Sequence, residues 1–149
     1  MSSTERTLHA LRLQAQFQLV EASTECAHAL AVSRHLQNQV EALSERGEMV
    51  AHELRALMHR ESINPALLSS LRDLHRTAQG GLLDASLRLA VAQGSEEVSR
   101  DRLAAARHLD RSLEKGQQLE RLRHHRFQQS REGRQADDLW LQFNRRVPP

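Results

Sequence analysis

The stretch that decides the fold is residues 8–57, LHALRLQAQFQLVEASTECAHALAVSRHLQNQVEALSERGEMVAHELRAL. Alternating steps of four and three residues meet fifteen positions here, of which twelve are apolar. They are Leu8, Arg12, Ala15, Leu19, Ala22, Cys26, Ala29, Ser33, Leu36, Val40, Leu43, Gly47, Val50, Leu54 and Leu57. This heptad spacing is typical of coiled coils. It predicts one helix of about 75 Å, which needs a partner along its whole length.

The predicted partner is the second half of the same chain. Residues 61–64 interrupt the helical pattern, and Asn64 followed by Pro65 is suited to the start of a new helix. A connection this short joins neighbouring antiparallel helices. We therefore predict an all-α fold over residues 1–149, a long antiparallel two-helix coiled-coil hairpin with a C-terminal helical overhang. Helix 1 is expected at 4–60, the turn at 61–64 and helix 2 at 65–144.

The second helix has a less regular apolar pattern than the first. Its candidate core residues are Leu67, Leu68, Leu71, Leu74, Ala78, Leu82, Ala85, Leu89, Ala92, Leu103, Ala106, Leu109 and Leu113. The stripe slips near Gly80 and Gly81 and weakens around Gly94, and glycine lowers helix propensity at each point. One interpretation is a continuous but irregular helix. The alternative is a break that produces a three-helix bundle.

Composition limits the core and the cellular setting. The chain has three Phe, one Trp and no Tyr, so we expect a thin two-layer seam rather than a thick core. The single cysteine, Cys26, excludes an intramolecular disulfide and fits a reducing cytoplasm. No apolar run is long enough to span a membrane, and the first residues lack signal-peptide character. We expect a cytoplasmic protein without direct membrane insertion.

Residue patterns for catalysis and metal binding are weak. His28 and His35 are seven residues apart, as are His52 and His59, so each pair is separated by roughly 10 Å on a helix. That separation is too large for two ligands of one ion. The sequence also has no phosphate-binding glycine loop and no nucleophile elbow. We expect no enzymatic activity, no metal site and no cofactor.

Charge is unevenly distributed along the chain. The formal net charge is +2, but residues 1–99 carry nine basic and twelve acidic side chains, whereas residues 100–149 carry twelve and seven. The first helix has no residues left to pair with the second beyond about residue 117, so the basic excess falls on the overhang. Clustered arginines can bind phosphates, but a small net charge and the lack of a stacking platform argue against a nucleic-acid partner. A solvated helix face and a protein-docking face are the other interpretations.

The overhang holds the candidate docking residues. They are Arg121, Arg123, Arg126, Arg131, Arg134, Leu139, Trp140 and Phe143. In a chain with few aromatic residues, Trp140 and Phe143 beyond the paired helices indicate an anchor for a partner protein. The alternative is that they fold back onto the open end of the hairpin beside Phe17.

This arrangement resembles the FliJ/YscO/HrpO family of type III secretion systems. The chain shares with that family an unbroken amino-terminal heptad helix, a short turn near residue 62, a longer second helix and a basic tail. The most specific local likeness is residues 135–146, QADDLWLQFNRR, which is similar to the closing pattern of the family.

The resemblance implies a cytoplasmic stalk associated with the secretion apparatus at the inner membrane. Such a stalk inserts into the hexameric ring of the export ATPase and contacts the export gate protein and type III chaperones. By analogy with flagellar relatives, the gate and chaperone face would comprise Leu74, Ala78, Gly81 and Ala85. Of the two kinds of system, we favour the virulence injectisome over the flagellum. The rival interpretation is a generic coiled-coil scaffold or tethering protein.

Overall fold

The computed structural model describes residues 2–146, which form two long helices that pack against each other as a hairpin. Helix α1 spans Ser3–Met58 and helix α2 spans Pro65–Arg146, with 56 and 82 residues. The observed ends lie within two residues of the predicted ones. The described residues contain no strand and no third helix, so the three-helix alternative is wrong.

Both helices begin with the capping that their sequences favour. The Glu5 amide donates to Ser2 Oγ at 3.1 Å, and the Ser2 amide donates to Glu5 Oε2 at 2.8 Å. These reciprocal bonds form a capping box. At α2, the Ala66 amide donates to Asn64 Oδ1 at 3.1 Å. Asn64 therefore caps α2, and Pro65 takes the first helical position, where its missing amide proton is not needed.

The heptad seam of α1 faces inward. All fifteen of its positions are buried or half-buried, and Ala15, Ser33 and Leu57 are the most enclosed. The larger seam residues towards the turn, Leu36, Val40, Leu43, Val50, Leu54 and Leu57, are all among these inward positions. The core is thin, since only five apolar residues of the described chain are less than about a tenth exposed, and none of them is completely enclosed.

Helix α2 carries a regular seam of its own, which corrects the irregular stripe expected from its apolar residues. Its inward positions continue in steps of three and four from Leu68 to His124 without a slip at Gly80 or Gly94. They run through polar residues, namely His75, Glu96, Ser99, Asp110, Gln117 and Glu120. Conversely, Leu67, Leu74 and Leu109 are 43%, 55% and 44% exposed and lie outside the seam.

The contacts divide the chain into two compact units. One combines the residues up to Val20 with those from Ala104 onward, and the other comprises Glu21–Leu103. In the second unit Gly47 lies opposite Ala78, and Glu25 pairs with Arg102. In the first unit, Leu8 lies opposite Gly116. Arg12, further along α1 in this unit, lies near Asp110. Within each unit the residue number on α2 therefore rises as that on α1 falls, so the two segments are antiparallel.

Replacing Gly80 with alanine is expected to stabilise the protein by about 1 kcal/mol. Gly80 lies inside continuous α2, has no positive φ, and a Cβ built on it meets nothing within 4 Å. The measurement is urea unfolding followed by circular dichroism, with Gly80→Pro as the control that should cost about 3 kcal/mol. A loss of stability in Gly80→Ala would contradict a straight helix at this position.

Candidate functional site

The candidate site is the end of α2 that extends beyond its pairing with α1. Glu120 and His124 are the last half-buried residues of α2, and every residue from 125 to 146 is exposed. The cause is length, because α2 has 26 more residues than α1 (82 against 56). Residues 125–146, the α2 tail, therefore present a single helix of about 33 Å with all its faces accessible.

An apolar face lies near the end of the α2 tail. Leu139, Trp140 and Phe143 are 66%, 64% and 72% exposed. Their spacing of one and then three residues places them on one side of a helix with 3.6 residues per turn. Phe17 is 80% exposed, so neither aromatic residue of the tail folds back onto it. Three large apolar side chains without cover on one helix face are the kind of patch that binds a partner protein.

The predicted arginines form the basic part of the site. Arg121, Arg123, Arg126, Arg131 and Arg134 are all exposed. The Arg123 guanidinium lies 4.0 Å from the Glu120 carboxylate, and its side chain is 79% exposed, so this pair contributes little to stability. No ion pair of the other four is found within residues 2–146. Helix geometry places Arg126 within about 40° of Trp140, because 14 residues make almost four whole turns, whereas Arg134 lies about 120° away from it.

A polar layer holds α2 against α1 before the tail begins. Arg12 occupies the α1 seam, donates from Nη1 to Gln117 Oε1 at 2.9 Å, and pairs with Glu114 at 3.1 Å. Its Nε lies 3.9 Å from Asp110 Oδ1, and both atoms are buried without a hydrogen bond. A polar group on a coiled-coil seam favours one register over others, because any shift leaves it unpaired. The layer therefore fixes which residues of α2 emerge as the tail.

This polar layer was not anticipated from the sequence beyond the presence of Arg12 on the seam. Two acidic residues four apart, Asp110 and Glu114, were the available signal. To recognise Asp110 and Glu114 as partners of Arg12, one must know which side of α2 faces α1. The apolar residues of α2 did not define that side.

The four residues expected to form the gate and chaperone face do not share an exposed surface. Ala85 is 6% exposed, and Ala78 and Gly81 are half-buried against Gly47 and Leu43 of α1. Only Leu74 is exposed, at 55%. Ala78 and Ala85 belong to the intramolecular seam, where small side chains let the two helices approach closely.

Neither a cluster of metal-ligating side chains nor a membrane-spanning segment is found among the described residues. His28, His35 and His52 are exposed on outward positions of α1, and His59 is exposed directly after the end of that helix. Within the described part of the chain, no group of three His, Cys, Asp or Glu residues is placed to hold a metal ion. Likewise, none of the helical residues described forms a segment long and apolar enough to cross a membrane.

The chain was compared with models of protein families, with curated proteins and with solved structures. None of these comparisons finds a match.

Proposed function

We propose that this protein is a cytoplasmic stalk of a type III secretion system. In this proposal it inserts into the hexameric ring of the export ATPase and couples the ring to the export gate and to substrate chaperones. The proposal rests on the resemblance of the sequence to the FliJ/YscO/HrpO family. The two-helix hairpin with a longer second helix is the architecture that the resemblance leads us to expect.

The observation that carries the proposal is the uncovered α2 tail. A helix of 22 residues, 125–146, with all of its residues exposed gains nothing from the rest of the described chain. Most of the stability of a helix in a protein comes from packing of one of its faces, so a partner that covers the tail would stabilise it. We infer that the tail is a docking element for another protein.

The side chains of the tail define what the partner surface should contain. Trp140 and Phe143 need an apolar pocket, and burial of one large aromatic side chain contributes roughly 2–4 kcal/mol to an interface. The arginines, which precede Trp140 and Phe143 along α2, need carboxylates at the rim of that pocket. Rim charges of this kind mainly accelerate association. An acidic cleft with an apolar floor on the ATPase ring would satisfy both requirements.

Contacts with the export gate and with chaperones remain predictions of the resemblance. The buried positions of Ala78 and Ala85 argue against the face first expected for them. Among the four residues of that face, Leu74 is the accessible one.

The first test is binding of the purified full chain to the export ATPase encoded by the same genome. We expect co-sedimentation with the assembled ring and a change in its rate of ATP hydrolysis. If the chain neither binds the ring nor alters its rate, the stalk proposal fails and the scaffold interpretation gains. A basic tail that instead bound any DNA duplex with a steep salt dependence would indicate a nucleic-acid function.

Trp140→Ala is expected to weaken ring binding at least tenfold, because it removes the largest apolar side chain of the tail. The control is Phe17→Ala, which removes a still more exposed aromatic side chain from α1. Fluorescence anisotropy of labelled protein titrated with the ATPase measures both affinities. Equal affinities of the two variants would place the docking surface outside the apolar face of the tail.

A further inference from the structure

A second exposed apolar face lies on α2, within the unit Glu21–Leu103. Its large members are Leu83, Leu87, Val91 and Val98, with exposures of 64%, 61%, 73% and 50%. Ala90 and Gly94 lie between them and are also exposed. These six residues, which we name the α2 outer face, follow one another in steps that keep them on one side of the helix. None of these six residues belongs to the seam between α1 and α2, so the hairpin itself leaves this face uncovered.

A groove between the two helices adjoins the α2 outer face. It encloses about 710 Å³, and its apolar lining comes from Ala29, Val32 and Leu36 of α1 together with Leu87, Val91 and Ala92 of α2. Leu87 and Val91 belong to both surfaces. The groove and the face thus form one continuous apolar surface that could receive a helix from another molecule.

Gly94 has no role in packing within the described residues. It lies inside α2, where glycine weakens a helix, and a Cβ built on it meets nothing within 4 Å. Gly81 and Gly116, by contrast, lie close to Leu43 and Leu8 of α1. On the α2 outer face, the missing side chain of Gly94 leaves a notch two turns from Leu87 and one turn from Val98.

The order of residues on the α2 outer face makes it complementary to itself. When two copies of α2 are set antiparallel about the midpoint between Ala90 and Val91, each large residue meets a smaller or comparable one. The opposed pairs are Leu87 with Gly94, Leu83 with Val98, and Ala90 with Val91. Each Leu87 then enters the notch left by Gly94 of the other copy. We propose that a second copy of this chain docks on the α2 outer face in this antiparallel register.

Symmetry is consistent with a second copy. A twofold axis uses the same patch on both molecules, which is the commonest arrangement in homo-oligomers. The register sets Asp84 level with Glu97 of the other copy at both ends of the interface. These are like charges, and Arg88, which pairs with Asp84 at 3.1 Å, offsets only one of them at each end.

The size of the surface sets the expected strength of the dimer. Four large side chains and the groove offer roughly 1,000 Å² in total over both copies, at the small end of specific interfaces. We therefore expect a reversible dimer with a Kd on the order of micromolar. The inference does not depend on the α2 tail or on the proposed stalk function, since it concerns other residues and the protein alone.

The test is sedimentation equilibrium of the full chain from about 1 to 200 μM. The mass is expected to rise from the 17.0 kDa of the monomer towards twice that value. Leu87→Glu should weaken dimerisation at least tenfold, whereas Leu13→Glu, which changes a similarly exposed leucine of α1, should leave it unchanged. A monomer throughout this range overturns the proposal, and so does equal weakening by both variants. Circular dichroism establishes that both variants keep their helical content.

Gly94→Leu separates an effect on dimerisation from an effect on folding. Leucine has the higher helix propensity, so this variant should raise the thermal midpoint of the dilute monomer. It also fills the notch, so it should weaken the dimer at least tenfold. Retention of full dimer affinity would rule out the contact between Leu87 and Gly94.

Cysteine cross-linking tests the antiparallel register in a Cys26→Ser background. Ala90→Cys lies beside the twofold axis and should form an intermolecular disulfide readily under mild oxidation. Val98→Cys should not, because the two copies of residue 98 are separated by about 22 Å along the helices. Equal cross-linking at both positions would indicate parallel or nonspecific association and overturn the register.

Discussion

Leu71→Asp is expected to destabilise the hairpin by about 3–5 kcal/mol, whereas Leu74→Asp is expected to cost less than about 1 kcal/mol. The two leucines are three residues apart on α2, but Leu71 is 8% exposed and Leu74 is 55% exposed. An aspartate at position 71 would lose its hydration and leave a gap opposite the α1 seam. At position 74 the same carboxylate remains in water.

Thermal unfolding followed by circular dichroism measures the difference. A loss of about 4 kcal/mol corresponds to a fall in the midpoint of roughly 10 °C for a chain of this size. Leu74→Asp serves as the matched control, because it makes the same chemical change on the same helix. Similar midpoints for the two variants would show that the register of α2 is wrong.

The second large effect is expected from removal of the end of the α2 tail. A chain truncated after Gly133 should keep its thermal midpoint within about 2 °C, because residues 134–146 are exposed throughout. The same truncation should abolish binding to the export ATPase ring, since it removes Leu139, Trp140 and Phe143. Stability and binding are therefore expected to respond separately.

A matched variant distinguishes the apolar face from the mere length of the tail. The triple substitution Leu139→Ser, Trp140→Ser and Phe143→Ser keeps the chain length and every charge but removes the large apolar side chains at these positions. We expect it to lose ring binding as completely as the truncation does. If truncation lowers the helical signal of the remaining chain, the tail is part of the core. If both variants still bind, the docking surface lies elsewhere, with the amino-terminal end of α1 as the next candidate.

The sequence by itself determined α1 and the start of α2. The heptad spacing in residues 8–57 predicted fifteen positions of α1 that are all buried or half-buried, because a repeat of seven residues defines one side of a helix without reference to its partner. Asn64 and Pro65 likewise specified the start of α2 through local hydrogen bonding and a fixed φ. The end of the chain was also predicted to extend beyond the paired region, since this followed from the lengths of the two helices.

Only the tertiary structure decided which side of α2 faces α1 and which polar side chains lie on that side. The apolar pattern placed Leu67, Leu74 and Leu109 on the side of α2 that faces α1, but these leucines are exposed. Polar residues such as His75 and Glu96 lie on the inward side instead. Apolar periodicity could not identify a seam with polar members. Packing against α1 decides which side of α2 faces inward. The small residues Ala78, Ala85 and Ala92 allow close approach, and Arg12 pairs with Asp110 and Glu114 in this register. The same packing buries Ala85 and leaves Leu87 and Val91 exposed, which no local pattern in the sequence could separate.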